Sequence, residues 1–551
     1  MPSNHRVLVI GLDSATFDLL LPWVKEGRLP TLAALLRDGA WGELQSTIPP
    51  HTAPAWSTFM TGKNPGKHGI FGLMKLSPDR QHLQLVSSRD RKAQDLWQII
   101  SENGKRVIVL NVPVTYPVRP VNGILISGFM TPPSASDIVY PKTEAEKLRA
   151  EVGGAFGPNV EGAEILEKDR YESLWNSLNY DLEARAEIAV HLLRREWDFF
   201  MIEFQGTDEV QHKFWQFTDP SHPLFDRAKQ SKYGPAIMRY YEKVDEVLAR
   251  ILSKINLEDT TVIVVSDHGA RSAHKWVSLN NLFWKKGLLN FNNDPWTRLR
   301  LLLFKIGITP ISLYGLILKL HLTGLIKSIG SEETRSTLRP LFISLKDLDW
   351  SRTKLYSLGG WGQIYINESN LSQSERLDFP KKIIDLLLEL KDEETGQSIF
   401  SKENIHLREE IYHGQFLDDA PDLTALPDSP YTGYADYEFG FNRIVRNVVG
   451  VGGTHAMNGI LCMAGALTKK RELNQNTSLL DLAPTILYLL GLGIPEDMDG
   501  TVIARGIKDD YLASNPPLQA STRRDEPESL NPYTPEEEEQ LQRRLKDLGY
   551  L

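Results

Sequence analysis

Five short runs of nearly unbroken apolar residues constrain the fold most. They are 6–11 "RVLVIG", 106–112 "RVIVLNV", 199–204 "FFMIEF", 261–266 "TVIVVS" and 459–465 "GILCMAG". A strand with one wet face alternates apolar and polar residues, whereas a run that is apolar throughout belongs to a strand covered on both faces. Amphipathic segments with apolar residues at helical spacing lie between these runs, such as 181–197 "DLEARAEIAVHLLRREW" and 240–255 "YYEKVDEVLARILSKI". This alternation predicts an α/β fold: a doubly wound, mostly parallel sheet with helices on both faces, plus helical insertions.

The rhythm breaks at 285–345, where basic-apolar, helix-like sequence predicts an inserted cap. Residues 513–533 are polar and proline-rich, as in a tether. The last segment opens with Thr534 and Pro535, places acids in its first turn and ends in Arg and Lys, which is good helix chemistry. The expected organisation is a catalytic core from 1–284 and 346–510, an insertion at 285–345, a linker at 511–533 and a terminal helix at 534–551. The greasiest stretch, 301–326, is interrupted by Lys305, Pro310, Lys319 and His321, so it offers no clean span of about 20 apolar residues. A buried helical hairpin is the expectation there, with peripheral membrane contact through 299–327 as the alternative.

Net charge is −9 over 551 residues, which argues against a general nucleic-acid binder. Cys462 is the only cysteine, so there is no disulfide framework and no thiolate zinc site. The start of the chain lacks the charged and apolar regions of a secretory signal, and the expected location is cytoplasmic.

In open α/β sheets, functional groups collect beyond the carboxyl ends of the strands. Asp13 follows the first run; Asp208 and His212 follow "FFMIEF"; Asp267-His268-Gly269 follows "TVIVVS"; His455 precedes "GILCMAG". Singly, each has a plain structural role, since an Asp after a strand commonly caps a helix or forms a turn. Asp208 and His212 are four residues apart, which on a helix puts both on one face. Together these nitrogen and oxygen donors suit two divalent ions, Zn²⁺ first and Mn²⁺ as the alternative. Two such ions clamp the attacking and leaving oxygens of an in-line displacement at phosphorus. The stretch 49–56 "PPHTAPAW" could open a helix at Thr52, where a nearby cation would lower the pKa of its hydroxyl. Helix N-terminal amides would add a site for phosphoryl oxygens. Trp56, Phe214 and Trp215 lie close by in sequence and serve equally as core or as a stacking surface.

The sequence resembles the alkaline phosphatase superfamily, and most closely its type I phosphodiesterase/nucleotide pyrophosphatase branch. The resemblance rests on "GLDS", "TAPAWSTFMTGKNPGKHGI", "DEVQH", "DHG", "GGTH" and 479–500 "LLDLAPTILYLLGLGIPEDMDG". It implies that Thr52 is transiently phosphorylated or nucleotidylated. It also implies that Asp208, His212 and His455 hold one metal, while Asp13, Asp267, His268 and Thr52 hold the other. The branch's phosphoryl-binding asparagine has no counterpart, because the corresponding position is Leu73. Lys63, Asn64, Lys67, Arg271 and Lys275 are the candidate substitutes, with Trp56 as a further substrate contact. The expected activity is hydrolysis of phosphodiesters or nucleotide pyrophosphates, acting on a small-molecule substrate. The alternatives are a phosphomonoesterase or phosphomutase of the same superfamily, and a non-catalytic scaffold docking on a membrane or partner.

Overall fold

The structure, a computed structural model, describes residues 5–77, 83–152, 170–313, 341–435, 439–473, 477–522 and 531–548. Nine strands form the central sheet: β1 (Arg6–Leu12), β2 (Ala40–Gln45), β3 (Val107–Leu110), β4 (Gly123–Ile126), β5 (Val139–Tyr140), β6 (Phe199–Phe204), β7 (Thr260–Val265), β8 (Asn458–Ala464) and β9 (Arg471–Glu472). Their order is β9-β2-β8-β7-β1-β6-β3-β4-β5. The central block β7-β1-β6-β3-β4 is parallel, while β8 runs antiparallel to both β7 and β2, and β5 runs antiparallel to β4.

The all-apolar strands follow from cover on both faces. Val7, Val9, Met201 and Val265 pack with Trp56, Phe59, Trp97 and Ile486 on one side. Leu8, Ile10, Ile202 and Val264 pack with Val210, Tyr240 and Val244 on the other. Burying one such aliphatic side chain contributes roughly 1.5–3 kcal/mol, so a charge at Val264 would break the sheet at its centre. Cys462 lies in β8, and burial pushes its thiol up to about 12, as expected of an inert core residue.

The antiparallel course of β8 matters for the site. His455 precedes β8, so a parallel strand would have put it on the rim opposite the carboxyl ends of β1, β6 and β7. Running antiparallel, β8 begins on that rim, and Gly453–Ala456 pairs with Gly269–Ser272 just after β7.

Residues between Val277 and Phe439 gather around a second apolar cluster. Its four-stranded sheet is ordered Leu355–Leu358, Gln363–Ile366, Leu423–Ala425, Ile405–Leu407. Of the segment 285–345, Pro295–Lys305 is helical, capped by Asp294 accepting from the amides of Trp296 and Thr297. Trp296, Leu299, Leu302 and Ile306 are exposed there. Residues 314–340 lie outside the described residues, so the expected hairpin is described only in its first half. Among the described residues, no helix is long and apolar enough to cross a membrane. At the C-terminus, Pro535–Leu548 is helical, and Tyr533, Leu541 and Leu545 pack with Ala53, Val114, Phe129 and Met130.

Candidate metal and phosphoryl site

Thr52 is the first residue of helix α1 (Thr52–Thr61), and all ten of its residues are buried. Asp208 and His212 lie on helix α2 (Gly206–Phe214), which leaves the sheet directly after β6. Asp13 follows β1, and Asp267 and His268 follow β7. The parallel strands therefore deliver these groups to one rim, and antiparallel β8 brings His455 to join them.

His212 Nε2 lies 3.0 Å from His455 Nε2. Asp208 Oδ1 is 3.3 Å from the first and 3.5 Å from the second. Around His268 Nε2 stand Asp267 Oδ2 at 3.2 Å, Thr52 Oγ1 at 3.3 Å and Asp13 Oδ1 at 3.7 Å. Asp208 also comes within 4.8 Å of the donor atoms of Asp13 and His268, so it stands between the two groups. All six acids and histidines are buried.

The second contacts of the imidazoles fix their chemistry. The Nδ1 of His212 lies 2.8 Å from the Gly453 carbonyl, that of His455 2.9 Å from Pro50, and that of His268 3.1 Å from Gly269. A carbonyl only accepts, so each Nδ1 carries the proton and each Nε2 presents its lone pair to the site. Trp56 Nε1 donates to Asp13 Oδ2 at 3.1 Å. Asp13 Oδ1 and Asp267 Oδ2 accept no hydrogen bond among the described residues. Ser14, in the left-handed region at φ 61°, donates its amide to Asp267 Oδ1 and its hydroxyl to the Gly269 carbonyl, which locks the turn after β1. Gly11 is required beneath it, because a Cβ there would meet Trp56 Cη2 at 2.7 Å.

The electrostatics call for positive charge. Burial, with Asp267 and Asp208 as neighbours, pushes Asp13 well above the carboxylate range, and burial carries Asp267 up to about 8. Burial works against an ionised Asp208 too, but His212 and His455 hold it well below the usual range. Burial, then the neighbouring His455, keeps His268 neutral. Buried carboxylates facing neutral imidazole lone pairs, with orphaned oxygens among them, make a donor set that divalent cations fit.

The side chains of the other expected contacts are engaged with protein groups. Lys63, Asn64 and Lys67 follow the far end of α1, about 15 Å from Thr52 at ~1.5 Å per helical residue. There Lys63 pairs with Asp497 at 2.5 Å and Lys67 with Asp499 at 2.5 Å, and the Asn64 side chain donates to Asp499 at 2.9 Å. Lys275 pairs with Asp392 at 2.6 Å and Glu394 at 2.9 Å. Arg271 donates to the carbonyls of Pro427 and Tyr431. Trp56 is wholly buried and supports Asp13, so it offers no stacking surface. Sequence reasoning missed His51, whose two buried ring nitrogens have no hydrogen-bond partner among the described residues. It also missed Trp361, whose ring lies 4.2 Å from that of His455, and Glu203, a buried orphan carboxyl on β6 opposite Gly11. His51 sits in the stretch 49–56 and Glu203 in the run "FFMIEF", the one charged residue of an otherwise apolar strand, whereas Trp361 lies in no local motif.

Sheet order and rim chemistry describe an α/β fold that gathers donors suited to divalent cations beyond the carboxyl ends of its strands. A family model of type I phosphodiesterase / nucleotide pyrophosphatase matches residues 7–440. The chain belongs to that family, within the alkaline phosphatase superfamily, and is a phosphoric ester hydrolase. His455 lies beyond the matched residues and joins the site through the fold. Phosphonoacetate hydrolase from Sinorhizobium meliloti 1021, in complex with phosphonoacetate, superposes with a TM-score of 0.53 at 15% identity, covering 88% of this chain and 95% of that one. The same enzyme in complex with phosphonoformate gives 0.51 at 15% identity with the same coverage. Human ectonucleotide pyrophosphatase / phosphodiesterase 5 gives 0.49 at 12% identity over 92% of this chain and 99% of that one. No curated protein sequence matches the chain.

Proposed function

We propose that the enzyme cleaves phosphodiester or nucleotide pyrophosphate bonds through a covalent phospho-Thr52 intermediate, with two divalent ions, Zn²⁺ first and Mn²⁺ as the alternative. The observation that carries this is the Thr52 hydroxyl, buried at a helix N-terminus 3.3 Å from His268 Nε2, beside Asp13 Oδ1 and Asp267 Oδ2, which accept no hydrogen bond among the described residues. Asp208, His212 and His455 would hold one ion, and Asp13, Asp267, His268 and Thr52 the other, with Asp208 close to both. Bound there, the ions would supply Lewis-acid charge to the oxygens at phosphorus and make hydroxyl groups acidic.

The chain's own residues do the rest. Thr52 passes its hydroxyl proton to solvent and attacks phosphorus in line, the bond to the leaving oxygen breaks, and that oxygen takes a proton back from solvent. Pro54 has no N–H, so the amides of Thr52 and Ala53 are the donors that the opening turn of α1 offers the phosphoryl oxygens. Water then attacks the phosphothreonine, returning Thr52 with its proton and releasing the product. The carbonyls of Gly453, Pro50 and Gly269 keep the three imidazoles in one tautomer and orientation throughout.

Turnover of bis-p-nitrophenyl phosphate and p-nitrophenyl phosphate, with and without Zn²⁺ or Mn²⁺, tests the reading. Faster, metal-dependent cleavage of the diester is expected. Faster monoester cleavage would favour the phosphomonoesterase alternative, and metal-independent turnover would refute the mechanism.

A further inference from the structure

The hairpin between Leu355–Leu358 and Gln363–Ile366 carries Trp361 at its tip, between Gly359 at φ 77° and Gly362 at φ 70°. Both glycines occupy the left-handed region, which lets so short a turn hold an indole at its end. The tip is anchored to the catalytic body, because the Gln363 side-chain amide donates to the Phe71 carbonyl at 2.7 Å. Trp361 stacks on His455 at 4.2 Å and 25°, and His455 stacks on His268 at 3.7 Å and 19°. The indole also lies 5.0 Å from the ring of His51, the residue before Thr52. His51 is buried with both ring nitrogens unpartnered among the described residues, and a buried polar ring in that state asks for a ligand atom. Trp361 itself is only half-buried, so surface remains beyond what His455 and His51 cover.

In-line displacement sets the leaving oxygen opposite the attacking one across phosphorus. Thr52 stands on the His268 side, so the leaving oxygen belongs on the side of Asp208, His212 and His455. Trp361 flanks that side. We propose that Trp361 is a specificity-determining residue that packs against a planar ring on the leaving group, so that the preferred substrates are phosphodiesters or pyrophosphates bearing an aromatic or heteroaromatic arm. This rests on the reading of Thr52 as nucleophile.

Calorimetric titration of the zinc-loaded full-length chain with phenylphosphonate and with methylphosphonate tests the proposal, because the two probes share a headgroup and differ by the ring. The wild type should favour phenylphosphonate by about tenfold. Trp361→Phe should keep most of that preference. Trp361→Leu, which keeps apolar bulk at the hairpin tip, should bring the ratio near one while zinc content and methylphosphonate affinity hold. A ratio unchanged in Trp361→Leu, or a wild type with no preference, overturns the proposal. So does loss of zinc and methylphosphonate binding together, since Trp361 would then only support His455. A wild type that binds neither phosphonate indicts the phosphoryl site itself.

Discussion

The two ends of α1 carry polar clusters of opposite character. At the far end, Lys63, Asn64 and Lys67 meet Asp497 and Asp499, and His413 Nε2 adds a 2.9 Å contact to Asp499. Two lysines face two aspartates there, so the cluster holds the chain after α1 against residues 497–499, and among the described residues it leaves one buried atom, Asp497 Oδ1, without a hydrogen-bond partner. At the near end, Asp13, Asp267, His51 and Glu203 keep buried polar atoms without hydrogen-bond partners among the described residues. Such groups cost roughly 1–3 kcal/mol each when left unpaired, a burden that a structural cluster has no reason to carry. How many buried atoms go unsatisfied, and whether cations already face the carboxylates, separates a working site from a brace.

Substitutions at the two ends should therefore behave differently. Thr52→Ala should lower diester turnover by on the order of 10⁴-fold, while elemental analysis finds metal content near that of the wild type. Retained turnover would remove Thr52 from the chemistry. Trp56→Phe deletes the hydrogen bond to Asp13 and keeps most of the ring, so titration should show metal binding weakened by about 10- to 100-fold. An unchanged affinity would mean that Trp56 is packing alone.

The near end should also sense pH when stripped of metal. Burial holds Asp267 at about 8 against an ordinary 3.8, so between those values the folded chain retains a proton that the unfolded chain has lost. Stability of the chelated protein should therefore fall as pH rises. Only from about one pH unit above 6.5 are the lowered histidines neutral in both states, which isolates the carboxylates between about pH 7.5 and 8. Melting temperatures of chelated and zinc-loaded protein should diverge across that window, and parallel curves would contradict the electrostatic reading. At the far end, Lys63→Ala should cost about 1–2 kcal/mol of stability and leave kcat within about twofold, as thermal melts and initial rates would show. A large loss of kcat would restore Lys63 to the substrate site.

The sequence made the rim legible because each donor there sits in a short local signature. Asp13 and Asp267-His268 end apolar runs, Asp208 and His212 share one turn of helix, and Thr52 opens a helix after two prolines. Shared access to Asp208 depends on how close α2 brings it to Asp13 and His268, which no local spacing reveals. His455 was placed on the correct rim although its strand runs antiparallel, a direction the sequence did not disclose. Lys63, Asn64 and Lys67 misled because closeness along the chain became distance along a helix axis. Trp361 and His51 meet only through docking of the hairpin tip on the catalytic body, a tertiary contact with no periodic trace. The two-residue strands β5 and β9 are likewise too short to leave a pattern.

The central claim is that two cations occupy the donors around Thr52. Anomalous diffraction at the zinc edge from zinc-soaked crystals tests it most directly. Two peaks are expected, one bound by Asp208, His212 and His455, the other by Asp13, Asp267, His268 and the Thr52 hydroxyl, each about 2.0–2.2 Å from its nitrogen and oxygen ligands. No peak at either place, with zinc found only on the protein surface, would contradict it.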